Sequence, residues 1–142
     1  MSKHFLTDTA KSGVYYLPPT QRAAFEADAE RQQLQVLPAN LAADKTAAKV
    51  LRRLGKALHF PSWYGANLDA LYDCLTDPAW QPGRGHVLLL DGSASLHTAD
   101  PEAFAALLEV FQAVAETHRE AGTPFWVLLD TPIDGITPLA DA

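Results

Sequence analysis

Apolar residues along this chain alternate between two spacings, and the switches mark strands and helices. Gly13-Val14-Tyr15-Tyr16-Leu17 is a short apolar run stopped by Pro18-Pro19, and it predicts a strand over 13–17. Thr20 is placed to cap a following helix that runs to about Gln33, with Ala23, Ala24, Phe25, Ala27 and Ala29 as its apolar content. Leu34-Gln35-Val36-Leu37 alternates and predicts a second strand, closed by Pro38. Ala47, Val50, Leu51, Leu54 and Leu58 form the buried stripe of a helix over 45–58, with Asp44 as its expected cap. Leu68, Leu71 and Leu75 then recur at i, i+3 and i+7 behind Asn67, a good helix N-cap.

The second half repeats the theme. His86-Val87-Leu88-Leu89-Leu90 is a continuous apolar run, as expected of a strand covered on both faces, and Asp91-Gly92-Ser93 turns the chain. Asp100-Pro101-Glu102 opens a long helix with an acidic cap, proline at the first position and an acid in the first turn. Phe104, Leu107, Leu108, Phe111, Val114 and His118 form its inner face, and Gly122 ends it. Phe125-Trp126-Val127-Leu128-Leu129 is a last central strand. Residues 1–12 and the tail 131–142, with Pro132, Gly135 and Pro138, read as loose.

The order β-α-β-α-α-β-α-β predicts an α/β fold: a small parallel sheet flanked by helices, joined by right-handed crossovers. Three core strands are expected, with residues 13–17 adding an extra N-terminal one at the sheet's edge. A chain of 142 residues suits one domain with a real core.

Composition narrows the function classes. The formal charge of −6 argues against broad phosphate-backbone binding, so no direct nucleic-acid partner is expected. It favours attraction of a cationic partner. Lys45, Lys49, Arg52, Arg53 and Lys56 line the outer face of the 45–58 helix and read as a solvated face. The single cysteine, Cys74, excludes a disulfide framework and reads as a buried thiol. Met1-Ser2-Lys3-His4 opens no signal-peptide apolar core, and no run approaches a membrane span, so a cytoplasmic protein without membrane contact is expected.

The chemistry concentrates between Phe60 and Asp77. Pro61 pushes Phe60 out of the helical region, and Gly65 gives the chain room to bend. Asp69, Asp73 and Asp77 are spaced four apart on one helical stripe, where like charges repel by about 0.2–0.5 kcal/mol per pair. No Lys or Arg lies between Lys56 and Arg84 to offset them. Trp63, Tyr64, Tyr72 and Trp80 stand around the stripe. Asp69 also suits the dipole of the first turn, and Asp77, before Pro78, also suits a helix end. Asp73 is mid-helix and gains from neither.

The run Phe60-Pro61-Ser62-Trp63-Tyr64-Gly65-Ala66-Asn67-Leu68-Asp69-Ala70-Leu71-Tyr72-Asp73 resembles the signature of the barstar family, the intracellular inhibitors of barnase-type ribonucleases. Cys74, Leu75 and Thr76 continue the likeness, which extends more weakly from about Gln33 to Asp130. Residues 13–32 are then an N-terminal β-α extension and 131–142 a tail. The resemblance implies the same α/β fold and a free monomer that acts as inhibitor, antitoxin or immunity protein. It implies that Asp73 mimics a phosphate in the enzyme's cationic site, that Asp69 pairs at the rim and that Trp63 stacks on a histidine. Tyr64, Gly65, Asn67, Tyr72, Thr76 and Asp77 complete the expected partner-binding face, with Glu116 or Glu120 as a second acidic contact. Ala66 stands where the best-known inhibitor has an acid, and the 78–85 loop is longer. A barstar-like module that binds some other basic protein is the alternative.

An enzyme is not expected. His4, His59, His86, His97 and His118 are scattered without metal-ligand spacing, and no phosphate loop or nucleophile elbow occurs. Asp69 and Asp73 could pair for acid–base work, but a shallow helix face offers little to perturb their pKa values. Neither a metal nor a cofactor is anticipated.

Overall fold

Four parallel strands, β1 (Gly13–Tyr16), β2 (Gln35–Asn40), β3 (His86–Asp91) and β4 (Phe125–Leu129), stand in the order β1-β4-β3-β2. The computed structural model describes residues 9–80 and 83–139. The helices are α1 (Arg22–Arg31), α2 (Ala47–Ala57), α3 (Leu68–Thr76), α4 (Ala94–Ala99) and α5 (Pro101–Ala121). The expected α/β class, three core strands and added N-terminal strand are all present.

The strand order dictates the layers. From β1 the chain crosses the whole sheet to β2, then steps back through β3 to β4. Crossovers of one hand that run in opposite directions must use opposite faces. Accordingly Phe25 and Ala29 of α1 pack on Val87, Leu89, Trp126 and Leu128. Leucines and phenylalanines of α2, α3, α4 and α5 pack on Leu88, Leu90, Phe125, Val127 and Leu129 of the other face. β3 and β4 are buried on both sides, which is why their sequences are apolar without a break. Each such leucine taken from water stabilises the fold by about 1.5–3 kcal/mol.

Several boundaries differ from expectation. Thr20 does not cap α1: Pro19–Gln21 forms a 3-10 turn, and Gln21 takes the cap position without a side-chain bond. Pro38 does not close β2, which continues to Asn40. Because β2 pairs only with β3, it is an edge strand, where a missing N–H is tolerated. Asp44 does not cap α2; Thr46 does, accepting from Lys49 N at 3.2 Å. Asp44 is buried instead and accepts from Arg53 Nε at 3.0 Å. α4 is an additional helix that carries a single buried residue, Leu96, too little for a periodic signal.

The C-terminal segment is not loose as far as Leu139. Tyr16 N donates to Thr137 O at 3.0 Å, and Leu139 is buried beside α1's face of the sheet. At the other end, Ser12 is buried and its Oγ accepts from Phe125 N at 3.0 Å. The loose segment expected at 1–12 lies outside the described residues except for Thr9–Lys11, a 3-10 turn, and Ser12. His4, the Met1–His4 start, Gln81, Pro82 and residues 140–142 also lie outside them. Among the described residues no helix is long and apolar enough to cross a membrane.

Candidate partner-binding face

The loop between α2 and α3 is fixed at both ends by local hydrogen bonds. At the end of α2, His59 takes a left-handed conformation, φ 57°, and Phe60 N reaches back to Gly55 O at 3.0 Å while His59 N reaches Lys56 O at 3.4 Å. This doubled turn satisfies carbonyls that the helix end leaves open and aims the chain away from α2. At the start of α3, Asn67 Oδ1 accepts from Ala70 N at 2.8 Å, as its type predicts.

Between these ends the loop is held by aromatic packing. Tyr64 OH donates to Leu51 O at 2.8 Å, and its ring meets Phe60 edge-on with centroids 4.8 Å apart. Burial pushes the Tyr64 phenol up to about 12, with Cys74 adding a smaller effect. Gly65 leaves room for the cap: a β-carbon there would stand 3.0 Å from Asn67 Nδ2. After His59, the left-handed residue in the loop is Ala66, φ 54°, and not Gly65.

Among the described residues Trp63 is the large apolar side chain left in the open, 54% exposed. Trp80, expected with the surface aromatics, is buried; its Nε1 donates to Leu58 O at 2.7 Å and its ring stacks 5.0 Å from His86. An indole N–H that finds a buried carbonyl anchors a core, and composition alone could not tell this tryptophan from Trp63.

On α3 the two faces separate cleanly. Leu71, Cys74 and Leu75 are buried. Burial, then the charges of Asp73 and Asp77, push the Cys74 thiol up, which suits the inert role expected of it. Asp69 and Asp73 are exposed one turn apart, and among the described residues neither carboxylate has an ion pair or hydrogen-bond partner. Asp77 is half-buried at the C-cap, and its Oδ1 accepts from Ala79 N at 2.9 Å. With Trp63 it lines a hollow of about 260 Å³. Thr76 Oγ1 donates to Tyr72 O at 2.8 Å, closing the last turn.

Tyr72 belongs to the joint with α5. Its hydroxyl shares a 2.6 Å hydrogen bond with Thr117 Oγ1, and His118 Nε2 donates to Leu75 O at 2.8 Å. Glu116 and Glu120 are exposed on that same helix.

The nine residues expected at the face therefore divide by task. Trp63, Asp69 and Asp73 are exposed without internal partners, while Tyr64, Gly65, Asn67, Tyr72, Thr76 and Asp77 have structural work in the loop, caps and joint. A fixed acidic stripe on a helix, with an exposed indole in the loop that leads into it, can accept charge-assisted hydrogen bonds from cations and offer them a flat ring. Among the described residues no group of three His, Cys, Asp or Glu is placed to hold a metal ion. A family model described as Barstar (barnase inhibitor) matches residues 34–130. No curated protein matches the chain.

Proposed function

The chain belongs to the barstar family, whose model spans residues 34–130, and from that premise we propose that it inhibits a barnase-type ribonuclease by filling the enzyme's cationic active site with α3. The observation that carries this is the pairing of exposed, unpartnered Asp69 and Asp73 with the exposed ring of Trp63. An enzyme that cleaves RNA must hold a phosphate between cationic side chains. Asp73, mid-helix and projecting, is the carboxylate to take the phosphate's place. Its two oxygens accept from arginine or protonated histidine in bonds about twice as strong as neutral ones.

Asp69 pairs with a further cation at the rim, and Trp63 stacks on an imidazole or guanidinium. Tyr64, Gly65 and Asn67 set the angle of the loop, Thr76 and Asp77 finish the helix, and Tyr72 braces it on α5. A rigid face of this kind loses little freedom on binding, which favours affinity. The net charge of −6 steers a basic enzyme toward it. The protein acts as a binder and not as a catalyst, in the cytoplasm of the cell it protects, and as a monomer until it meets the enzyme.

The test is RNA cleavage by a barnase-type ribonuclease titrated with this protein and with Asp73→Ala at low and moderate salt. Stoichiometric inhibition by the wild type, weakened at least a hundredfold in the variant, is expected. Inhibition at no ratio would remove this enzyme class as the target and turn the search to another basic protein.

A further inference from the structure

A second feature lies where the end of α2 meets the α2–α3 loop. An open hollow of about 460 Å³ is lined by Arg52, Lys56, His59, Phe60 and Tyr64, together with Gly55 and Ala66. Among the described residues no acid lines it, in a chain whose net charge is −6. Arg52 and Lys56 stand one turn apart on α2, both exposed, and among the described residues neither has an ion pair. Arg53, their neighbour, is engaged by Asp44 and turns elsewhere.

His59 is the informative member. It occupies the left-handed position that ends α2, φ 57°, where glycine is the ordinary residue. Glycine would serve the turn as well, and the exposed His59 ring lines the hollow together with Lys56. The rings of Phe60 and Tyr64, in edge-to-face contact, line the same hollow as Arg52, Lys56 and His59. Cations that can hold a phosphate, next to aromatic rings that can receive a planar base, are the two halves of nucleotide recognition.

We propose that this hollow binds a nucleoside phosphate, with Arg52, Lys56 and His59 on the phosphate and an aromatic ring of the Phe60–Tyr64 pair against the base. The ligand chemistry is shared by a free mononucleotide and by the phosphorylated end of a short RNA. The site is too local to track a nucleic-acid backbone, in keeping with the acidic charge of the rest of the chain. It does not depend on the inhibitor reading, because no ribonuclease takes part in its test.

The experiment is a titration of the full chain with adenosine 5′-monophosphate, followed by heteronuclear NMR at 25 mM and 200 mM salt. Adenosine, inorganic phosphate and a 3′-phosphorylated RNA tetranucleotide are run alongside. Shifts at residues 52–66 are expected with the mononucleotide, at least tenfold weaker with adenosine or phosphate alone, and weaker at the higher salt. Equal affinity for the tetranucleotide identifies the RNA end as an equally good source of the ligand; tighter binding of the mononucleotide favours the free form. Lys56→Glu lowers affinity at least tenfold, whereas Lys45→Glu, two residues before α2 and outside the hollow, changes it less than twofold. His59→Gly weakens the nucleotide while leaving thermal stability unchanged or raised, so misfolding cannot mimic the result. Equal losses from Lys45→Glu and Lys56→Glu, binding of phosphate as tight as of the mononucleotide, or no shifts at 25 mM salt would each overturn the proposal.

Discussion

The ring of Tyr64 lies against the backbone of Gly55: a β-carbon at position 55 would stand 2.7 Å from Tyr64 Cε2. The loop that displays Trp63 is thus seated on a helix that has no side chain at the point of contact. Glycine inside a helix costs about 1 kcal/mol relative to alanine, and here that cost gives the ring its seat.

Gly55→Ala therefore does not stabilise α2 as its helix propensity alone would suggest. The added methyl displaces a half-buried ring and its hydrogen bond to Leu51 O, an overpacking cost of about 1–3 kcal/mol against the propensity gain of about 1. A net loss of about 1 kcal/mol in urea unfolding is expected, with altered Trp63 fluorescence. A variant more stable than the wild type, with an unchanged loop, would show that Tyr64 is free to move.

Asp73→Ala should fold at least as well as the wild type. It removes a repulsion of about 0.2–0.5 kcal/mol per like-charged neighbour and improves helix propensity by about 0.5 kcal/mol. A gain of about 0.5–1 kcal/mol in equilibrium unfolding, together with loss of the partner, marks a residue kept for binding. Destabilisation instead would make Asp73 part of the scaffold.

Ala66→Gly relieves a left-handed alanine. A side chain in that region costs about 1–2 kcal/mol, and glycine returns roughly half of that through its greater freedom in the unfolded chain. The expected outcome is a gain of about 0.5 kcal/mol by urea denaturation. A loss of stability would mean that the Ala66 methyl, packed against the core, is worth more than the strain.

Asp130 gives the fold a dependence on acid. Burial pushes its carboxyl up, but hydrogen bonds from Gly92 N at 2.8 Å, Ser93 Oγ at 2.8 Å, Ser93 N at 3.2 Å and Thr131 Oγ1 outweigh burial and hold it below the usual value. A carboxyl depressed in the folded state stabilises fully above its unfolded pKa, near 4, and loses that contribution as pH falls through the folded value. The stability gap between wild type and Asp130→Asn should hold from about pH 7 to 5 and shrink below about pH 4. A gap that widens in acid would reverse the assignment.

Much of this was legible in the residues. The uninterrupted apolar runs of β3 and β4 reported strands covered twice, and the Leu68-Leu71-Leu75 spacing reported which side of α3 faces inward. Asn67 announced its cap. Side chains whose role depends on a distant partner were not legible. Trp80 and Trp63 are the same residue type in the same stretch, and only the carbonyl of Leu58 within reach of one of them makes it core. Asp44 has the chemistry of a cap, yet Arg53, nine positions on, and Thr46, two positions on, reassign it. Leu139 follows three turn residues and looks loose, but a slot beside β1 receives it.

The sheet order has a consequence for the sequence of events in folding. β1 finds its partner in β4, and the hydrogen bond from Phe125 N to Ser12 Oγ joins positions 113 apart. The strand made first is thus the last to be paired. Until β4 emerges, β1 and its apolar residues wait without a neighbour, while α2 and α3 form from contacts close in sequence. Closure over so long a span is slow in entropic terms, and it falls at the edge farthest along the sheet from β2. Seating of the N-terminal strand is then the final locking step of the fold, and pulse-labelled hydrogen exchange would read it as late protection at Leu17, whose N–H donates to Leu129 O at 2.9 Å.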